Sequence, residues 1–248
     1  MCFSVHIDVN LEKLAKQYQA RLSPKFHQAV FTATPNGFMK TETLPVLMSH
    51  EGLLRIEPMN WSLVPSWSKE YPLKWNTYNA RIERENKGVP QKIYQVPSFK
   101  DAFRLNKFCL VPIQAAIEAC YWGETAGKII SFQEINDHVF MAAGLYDSWI
   151  NPETNEIKNT CTLLTDGPYE FLFNHGHDRS IIVLDKNKEL EFLQSKSRNV
   201  ESSFEFIKNN RVDQEWKYSV LRDVSEASIK KNTPSPAKLE EIKQTVWS

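Results

Sequence analysis

Residues 108–149 read FCLVPIQAAIEACYWGETAGKIISFQEINDHVFMAAGLYDSW. Four short strand-like runs lie in this stretch: Phe108–Val111, Ala115–Trp122, Lys128–Gln133 and Val139–Trp149. A fifth, Asn159–Thr165, leads into a short helix and then into Ser180–Leu184. Upstream, Cys2–Asp8 favours a strand. Leu11, Leu14, Ala15, Tyr18 and Leu22 then recur at helical spacing, with Asn10 placed as a cap. Thr43–Met48 and Leu53–Val64 read as strands split by a turn at Glu51-Gly52. Pro65–Pro97, rich in Pro, Asn, aromatic and basic residues, reads as a long ordered loop with one helical turn. Ser98–Leu105 reads as a helix capped by Ser98, with Asp101 at its third position. Lys188–Leu193 and Ser202–Lys208 look helical, Trp216–Asp223 looks like a late strand, and Pro236–Trp247 a closing helix. Many strands with interspersed short helices and no regular βαβ alternation imply an α+β fold. No linker divides the chain, so residues 1–248 read as one domain.

The 30 Lys+Arg balance 30 Asp+Glu, and 42% of residues are hydrophobic. Those proportions exclude a disordered tail, a collagenous repeat and a polycationic nucleic-acid coat. Four cysteines, at positions 2, 109, 120 and 161, have neither disulfide-framework nor CxxC spacing. They point to a reducing, cytoplasmic compartment. No apolar run reaches the roughly 18 residues of a membrane-spanning helix. The reading is of a monomer without metal or other cofactor and without a membrane partner.

Cys2 follows the initiator Met, whose removal would expose a cysteine with a free α-amine. The amine, with a pKa of ~7.7–8.0, and the thiol, at ~8.5, are both partly available near neutrality. Together they can condense with an aldehyde to an imine and close it to a thiazolidine, or the residue can attack an amide. A buried strand cysteine is the plain alternative. Glu118 interrupts the apolar run 115–122; it either faces solvent or is buried with its pKa raised. His177, in Asn174-His-Gly-His-Asp-Arg179, suits acid/base work, with a solvated loop histidine as the alternative. Asn79-Ala80-Arg81 offers an amide and a guanidinium fork. Between 81 and 107, seven basic residues, Arg81 and Arg84 among them, face three acids. Interleaved Tyr94, Phe99 and Phe103 make that excess suit single-strand binding. A mixed solvated face is the rival reading, and Trp67 and Trp75 are more often core than stacking platforms.

In order, these pieces resemble the SRAP family (SOS response-associated peptidase domain). The matching segments are Met1-Cys2, Trp61-Ser-Leu-Val-Pro-Ser-Trp67, Asn79-Ala-Arg81, Cys109-Leu-Val-Pro112 with Glu118 six residues on, Phe140–Leu145, Thr162–Thr165 and His177-Asp-Arg179. Lys231-Asn232 resembles a late turn of the family. The resemblance implies an α+β domain around a curved, barrel-like, mainly antiparallel β core. It also implies binding of single-stranded DNA and a covalent crosslink to abasic sites through Cys2. By the same resemblance Asn79 positions the nucleophile, Glu118 transfers protons and His177 assists imine formation and reversal. Arg81 matches a phosphate contact, Trp67 an aromatic packing on bases and Thr165 a hydroxyl near the site; Arg84 and Arg179 join the DNA-binding set.

Departures surround these positions. Cys2-Phe3-Ser4 replaces the family's Cys-Gly-Arg, and Ala115–Ala119 replaces its aromatic surround of the carboxylate. DNA affinity and strand preference are therefore expected to differ. A cysteine peptidase or autoprocessing hydrolase using Cys2 is the rival enzyme, and a non-catalytic single-strand-binding module is the third reading. All three require or exclude one observable arrangement, the convergence of Cys2, Asn79, Glu118 and His177 in one cleft beside Arg81.

Overall fold

The four runs of residues 108–149 divide between two sheets. In the computed structural model, which describes residues 3–86, 88–195 and 198–247, the first and last run share one sheet and the middle two another. In chain order the strands begin with β1 Ser4–Asn10, β2 Arg21–Leu22, β3 Val30–Ala33, β4 Thr43–His50 and β5 Leu53–Trp61. There follow β6 Asn79–Arg81, β7 Glu83–Asn86, β8 Val89–Lys92, β9 Phe108–Ile113 and β10 Ala115–Ala119. The last are β11 Lys128–Glu134, β12 Phe140–Ile150, β13 Ile157–Asp166, β14 Ser180–Ile181 and β15 Trp216–Asp223.

β13, β12, β9, β4 and β5 pair antiparallel in that order. A short parallel contact then joins β5 to β13, Asn60 against Thr160 and Trp61 against Cys161, and closes the ring. So small a barrel has room inside only for side chains. Ile56, Trp61, Leu110, Leu145, Cys161 and Leu163 are all fully buried. β9 is buried at every position, because one face lines the barrel and the other meets the second sheet. That sheet, β15-β11-β10-β1-β3, is antiparallel throughout. It is hinged to the barrel at Gln114, whose backbone N–H donates to His6 O at 2.9 Å. Buried residues of both sheets form one continuous core. The α+β, barrel-like expectation holds.

Local chemistry explains where the elements begin and end. Asn10 caps the helix Leu11–Tyr18, its side chain accepting from Lys13 N. Gln19 then adopts φ 50°, ending the helix before Leu22, which lies in β2 instead. The β4–β5 hairpin turns at Glu51 and Gly52, both at positive φ (53° and 81°), the backbone that matches strand twist.

Four expectations need correction. The helix near Ser98 spans Lys100–Arg104 with no side-chain cap; the Ser98 hydroxyl accepts instead from Trp75 Nε1 at 3.1 Å. The segment 65–97 is not simply a loop, for it contains β6, β7 and β8 and a 3-10 turn at Ile93–Gln95. The strand begun at Ala115 stops at Ala119, and the closing helix at Lys243. Among the described residues no helix is long and apolar enough to cross a membrane.

Candidate active site

β1 and β10 bring two distant parts of the chain together. Ser4 lies opposite Ile117 and Val5 opposite Ala116, so the start of β1 runs beside the carboxylate strand. Cys2 itself lies outside the described residues. Glu118 points to the buried face of β10 and is only 1% exposed. This settles the side that alternation left open, since Ala116 and Cys120 on the same pleat are buried too.

His177 approaches Glu118 from the segment between the helix Glu170–Asn174 and β14, its Nε2 3.3 Å from Glu118 Oε2. Its Nδ1 lies 3.0 Å from Ala119 O. A carbonyl only accepts, so Nδ1 carries the hydrogen and the neutral ring turns a lone pair toward Glu118. Burial pushes the His177 imidazole down to about 3, which keeps that ring neutral. The Nε2–Oε2 contact is then a hydrogen bond when the carboxyl holds the proton. Set 3.3 Å apart, the carboxyl and the imidazole form a pair suited to acid/base work.

The loop that delivers His177 depends on two glycines packed face to face. Tyr121 N donates to Gly176 O at 2.8 Å. At Gly176 (φ 94°) an added Cβ would fall 1.9 Å from Trp122 O, and at Gly123 (φ 70°) 2.0 Å from Asn174 O. Neither position admits a side chain. Gly176→Ala is expected to destabilise the fold by about 2 kcal/mol or more, through left-handed strain and backbone collision. Urea unfolding midpoints of the two proteins measure it.

The same imidazole makes stability pH-dependent. Its folded pKa lies below its unfolded value of about 6.5, so the unfolded chain binds the extra proton first. Its contribution is complete above pH ~6.5 and is lost as the pH falls toward about 3. Glu189, whose carboxyl burial beside Tyr18 pushes up to about 7, acts in the opposite sense. The His177 share is thus read as a difference: unfolding midpoints of His177→Gln should fall less on acidification from pH 7 to 4 than those of the unsubstituted protein.

Asp178 and Arg179 follow on the rim. Asp178 Oδ1 is 3.9 Å from His177 Nε2, and Arg179 Nε donates to Asp178 Oδ2 at 3.2 Å. Burial favours protonated Asp178, yet the positive charges around it, with Arg179 and Arg81 among the smaller contributors, outweigh it and hold the carboxyl well below its ordinary range. Arg81 sits on β6, in register with Thr165 of β13. Its own pKa is lowered by burial and by the like charge of Arg179, against Asp166 and Asp178. Neither Arg81 Nε nor Thr165 Oγ1 has a hydrogen-bond partner among the described residues. Asn79 opens β6 opposite Leu163.

A cavity of about 930 Å³ fronts this cluster. Among the residues lining it are Phe3, Phe38, Tyr78, His177, Asp178 and Arg179, together with Arg222, Ser228, Lys231, Asn232 and Lys238 from late in the chain. Glu118 and His177 are thus in direct contact, while Asn79 is placed by its pairing with Leu163 and by its chain neighbour Tyr78, which lines the cavity. Trp67, half exposed in the β5–β6 loop, does not line the cavity. Nor does Arg84, which stands on exposed β7 with its Nε donating to Gln91. Sequence reasoning missed Phe38, Tyr121, Asp178 and the cations Arg222 and Lys238. Only Asp178 carried a signal, its place between His177 and Arg179; the others arrive through contacts between remote segments.

The described thiols are poor nucleophiles. Burial pushes Cys120 up to about 11 and raises Cys109 and Cys161 as well. Among the described residues no group of His, Cys, Asp and Glu could hold a metal ion.

The family model described as SOS response associated peptidase (SRAP) matches residues 1–227. Abasic site processing protein YoqW of Bacillus subtilis (strain 168) is 28% identical over 183 residues, covering 73% of this chain and 75% of that protein. Abasic site processing protein YoaM of the same organism is 28% identical over 146 residues, 58% of each. A crystal structure of a Bacteroides thetaiotaomicron protein has a TM-score of 0.67 at 19% identity, covering 96% of this chain and 99% of its own. A Bordetella bronchiseptica protein gives 0.65 at 16% identity, covering 89% and 100%. These two likenesses concern the fold.

Proposed function

The chain belongs to the SOS response associated peptidase (SRAP) family, and from that premise we propose that it processes abasic sites in single-stranded DNA by a covalent bond through Cys2. The observation that carries this reading is the buried Glu118–His177 pair, 3.3 Å apart, whose histidine lines a cavity walled by Phe3 and Arg179. YoqW and YoaM are both named abasic site processing proteins, which agrees with the substrate.

With Met1 removed, the Cys2 amine attacks the ring-opened C1′ aldehyde of the abasic sugar and forms a carbinolamine. Glu118 and His177 pass one proton to the carbinolamine oxygen, which leaves as water, and take back the nitrogen proton, so that a neutral imine remains. The Cys2 thiol then adds across the C=N bond, its sulfur to carbon and its proton to nitrogen, and a thiazolidine closes. One water is lost overall. Amine and aldehyde react unaided in water, so holding them together supplies much of the rate. Asn79 orients the nucleophile, while Arg81, Thr165 and Arg179 receive the flanking phosphates, where a fork of donors suits the anion.

Incubation with an abasic single-stranded oligonucleotide should yield an adduct that survives a denaturing gel, and the intact oligonucleotide should yield none. No adduct, or equal adduct with both, overturns the reading. The word peptidase in the family description favours a second one, in which the same pair assists amide hydrolysis by Cys2. Cleavage of a peptide without DNA would support it.

A further inference from the structure

Trp67, the aromatic assigned to base packing by resemblance, is not in the cavity wall, whereas two phenylalanines are. Phe3 stacks on Phe38 with ring centroids 6.3 Å apart and planes 29° apart, and Phe38 meets Tyr78 edge-on at 5.2 Å. All three line the cavity that contains His177 and Arg179. Phe38 nonetheless leaves half of its surface, 52%, open.

The turn that presents it is tied down on every side. Gly37 N donates to Phe3 O at 2.8 Å, and the Asn36 side chain accepts from Phe38 N at 2.9 Å. Lys40 Nζ donates to the carbonyls of Leu73 and Lys74 at 2.7 and 3.0 Å. A Cβ at Gly37 would fall 2.5 Å from the Tyr78 ring, so glycine alone lets the turn press against that tyrosine. The result is a fixed backbone carrying an aromatic ring whose open face has little freedom left to lose on binding.

An abasic nucleotide keeps its sugar and lacks its base, so the neighbouring base is missing one stacking partner. We propose that Phe38, backed by Phe3, stacks on the nucleobase adjacent to the abasic sugar and fills the place of the missing base. This rests on the abasic-site reading above and names the part of the substrate that is recognised. Every base has a π-face, so the contact is indifferent to sequence but needs a base to be present. It also accounts for a phenylalanine at position 3, where the family resemblance places glycine followed by a DNA-contacting arginine: stacking replaces a charge contact.

The test uses single-stranded oligonucleotides carrying a tetrahydrofuran abasic analogue, which has no aldehyde and reports binding alone. In one the analogue is flanked by adenines; in the other the flanking positions are tetrahydrofuran as well. The unsubstituted protein should bind the adenine-flanked strand roughly tenfold more tightly. Phe38→Ala and the bulkier Phe38→Leu should both lose that preference, and Phe38→Trp should retain it. Equal binding of the two strands by the unsubstituted protein, or a preference that survives in Phe38→Ala and Phe38→Leu, overturns the proposal. Natural abasic DNA is run in parallel. Absence of an adduct there sinks the abasic-site reading, whereas an adduct without the flanking-base preference sinks this inference alone.

Discussion

Cys2→Ala should yield no adduct with abasic single-stranded DNA that survives denaturation. Alanine is also small enough for removal of Met1, so the variant keeps a free α-amine and loses only the thiol. The amine can still form an imine with the C1′ aldehyde, but hydrolysis returns it to the starting materials. Borohydride, which reduces an imine to an amine, should therefore trap the variant on the DNA while leaving the untreated sample free. The buried thiols of Cys109, Cys120 and Cys161, all pushed upward by burial, offer no substitute. Equal adduct yields from Cys2→Ala and the unsubstituted protein would place the chemistry elsewhere.

Glu118→Gln should slow adduct formation by about a hundredfold or more, the usual worth of a positioned acid/base group. Glutamine preserves size, and its amide N–H can still face the lone pair of His177 Nε2. What it removes is the transferable proton. The rate should therefore fall while DNA affinity, measured with the tetrahydrofuran analogue, holds. The pH dependence of the single-turnover rate should also flatten, because an ionisable carboxyl is replaced by an amide that does not titrate. A drop in affinity with an unchanged rate at saturating DNA would make Glu118 a structural residue only.

Several of these features were legible in the sequence because they rest on local chemistry. Asn10 precedes an amphipathic stretch and caps it; Trp216–Asp223 alternates within a single strand and has those bounds. Glu118 stood out as one carboxylate in an apolar run, and burial on β10 explains its isolation. Others depend on partners far along the chain. Asn79–Arg81 is a strand only because it lies beside Leu163–Thr165, and three residues are too few for alternation to appear. Ser98 had the chemistry of a cap, yet Trp75 claims its hydroxyl. Phe38 looked like an unremarked residue in a polar turn, and its place in the cavity follows from a turn anchored on Phe3 and Tyr78. The barrel closure likewise rests on two residue pairs between β5 and β13, which no local pattern announces.

The central claim is that Cys2, freed of Met1, joins the abasic sugar with loss of one water. Intact mass of the denatured protein after incubation with an abasic oligonucleotide tests it most directly. The predicted mass is that of residues 2–248 plus the oligonucleotide, less one water. A species that retains Met1 and still carries the DNA, or protein that remains unmodified beside intact abasic DNA, would contradict it.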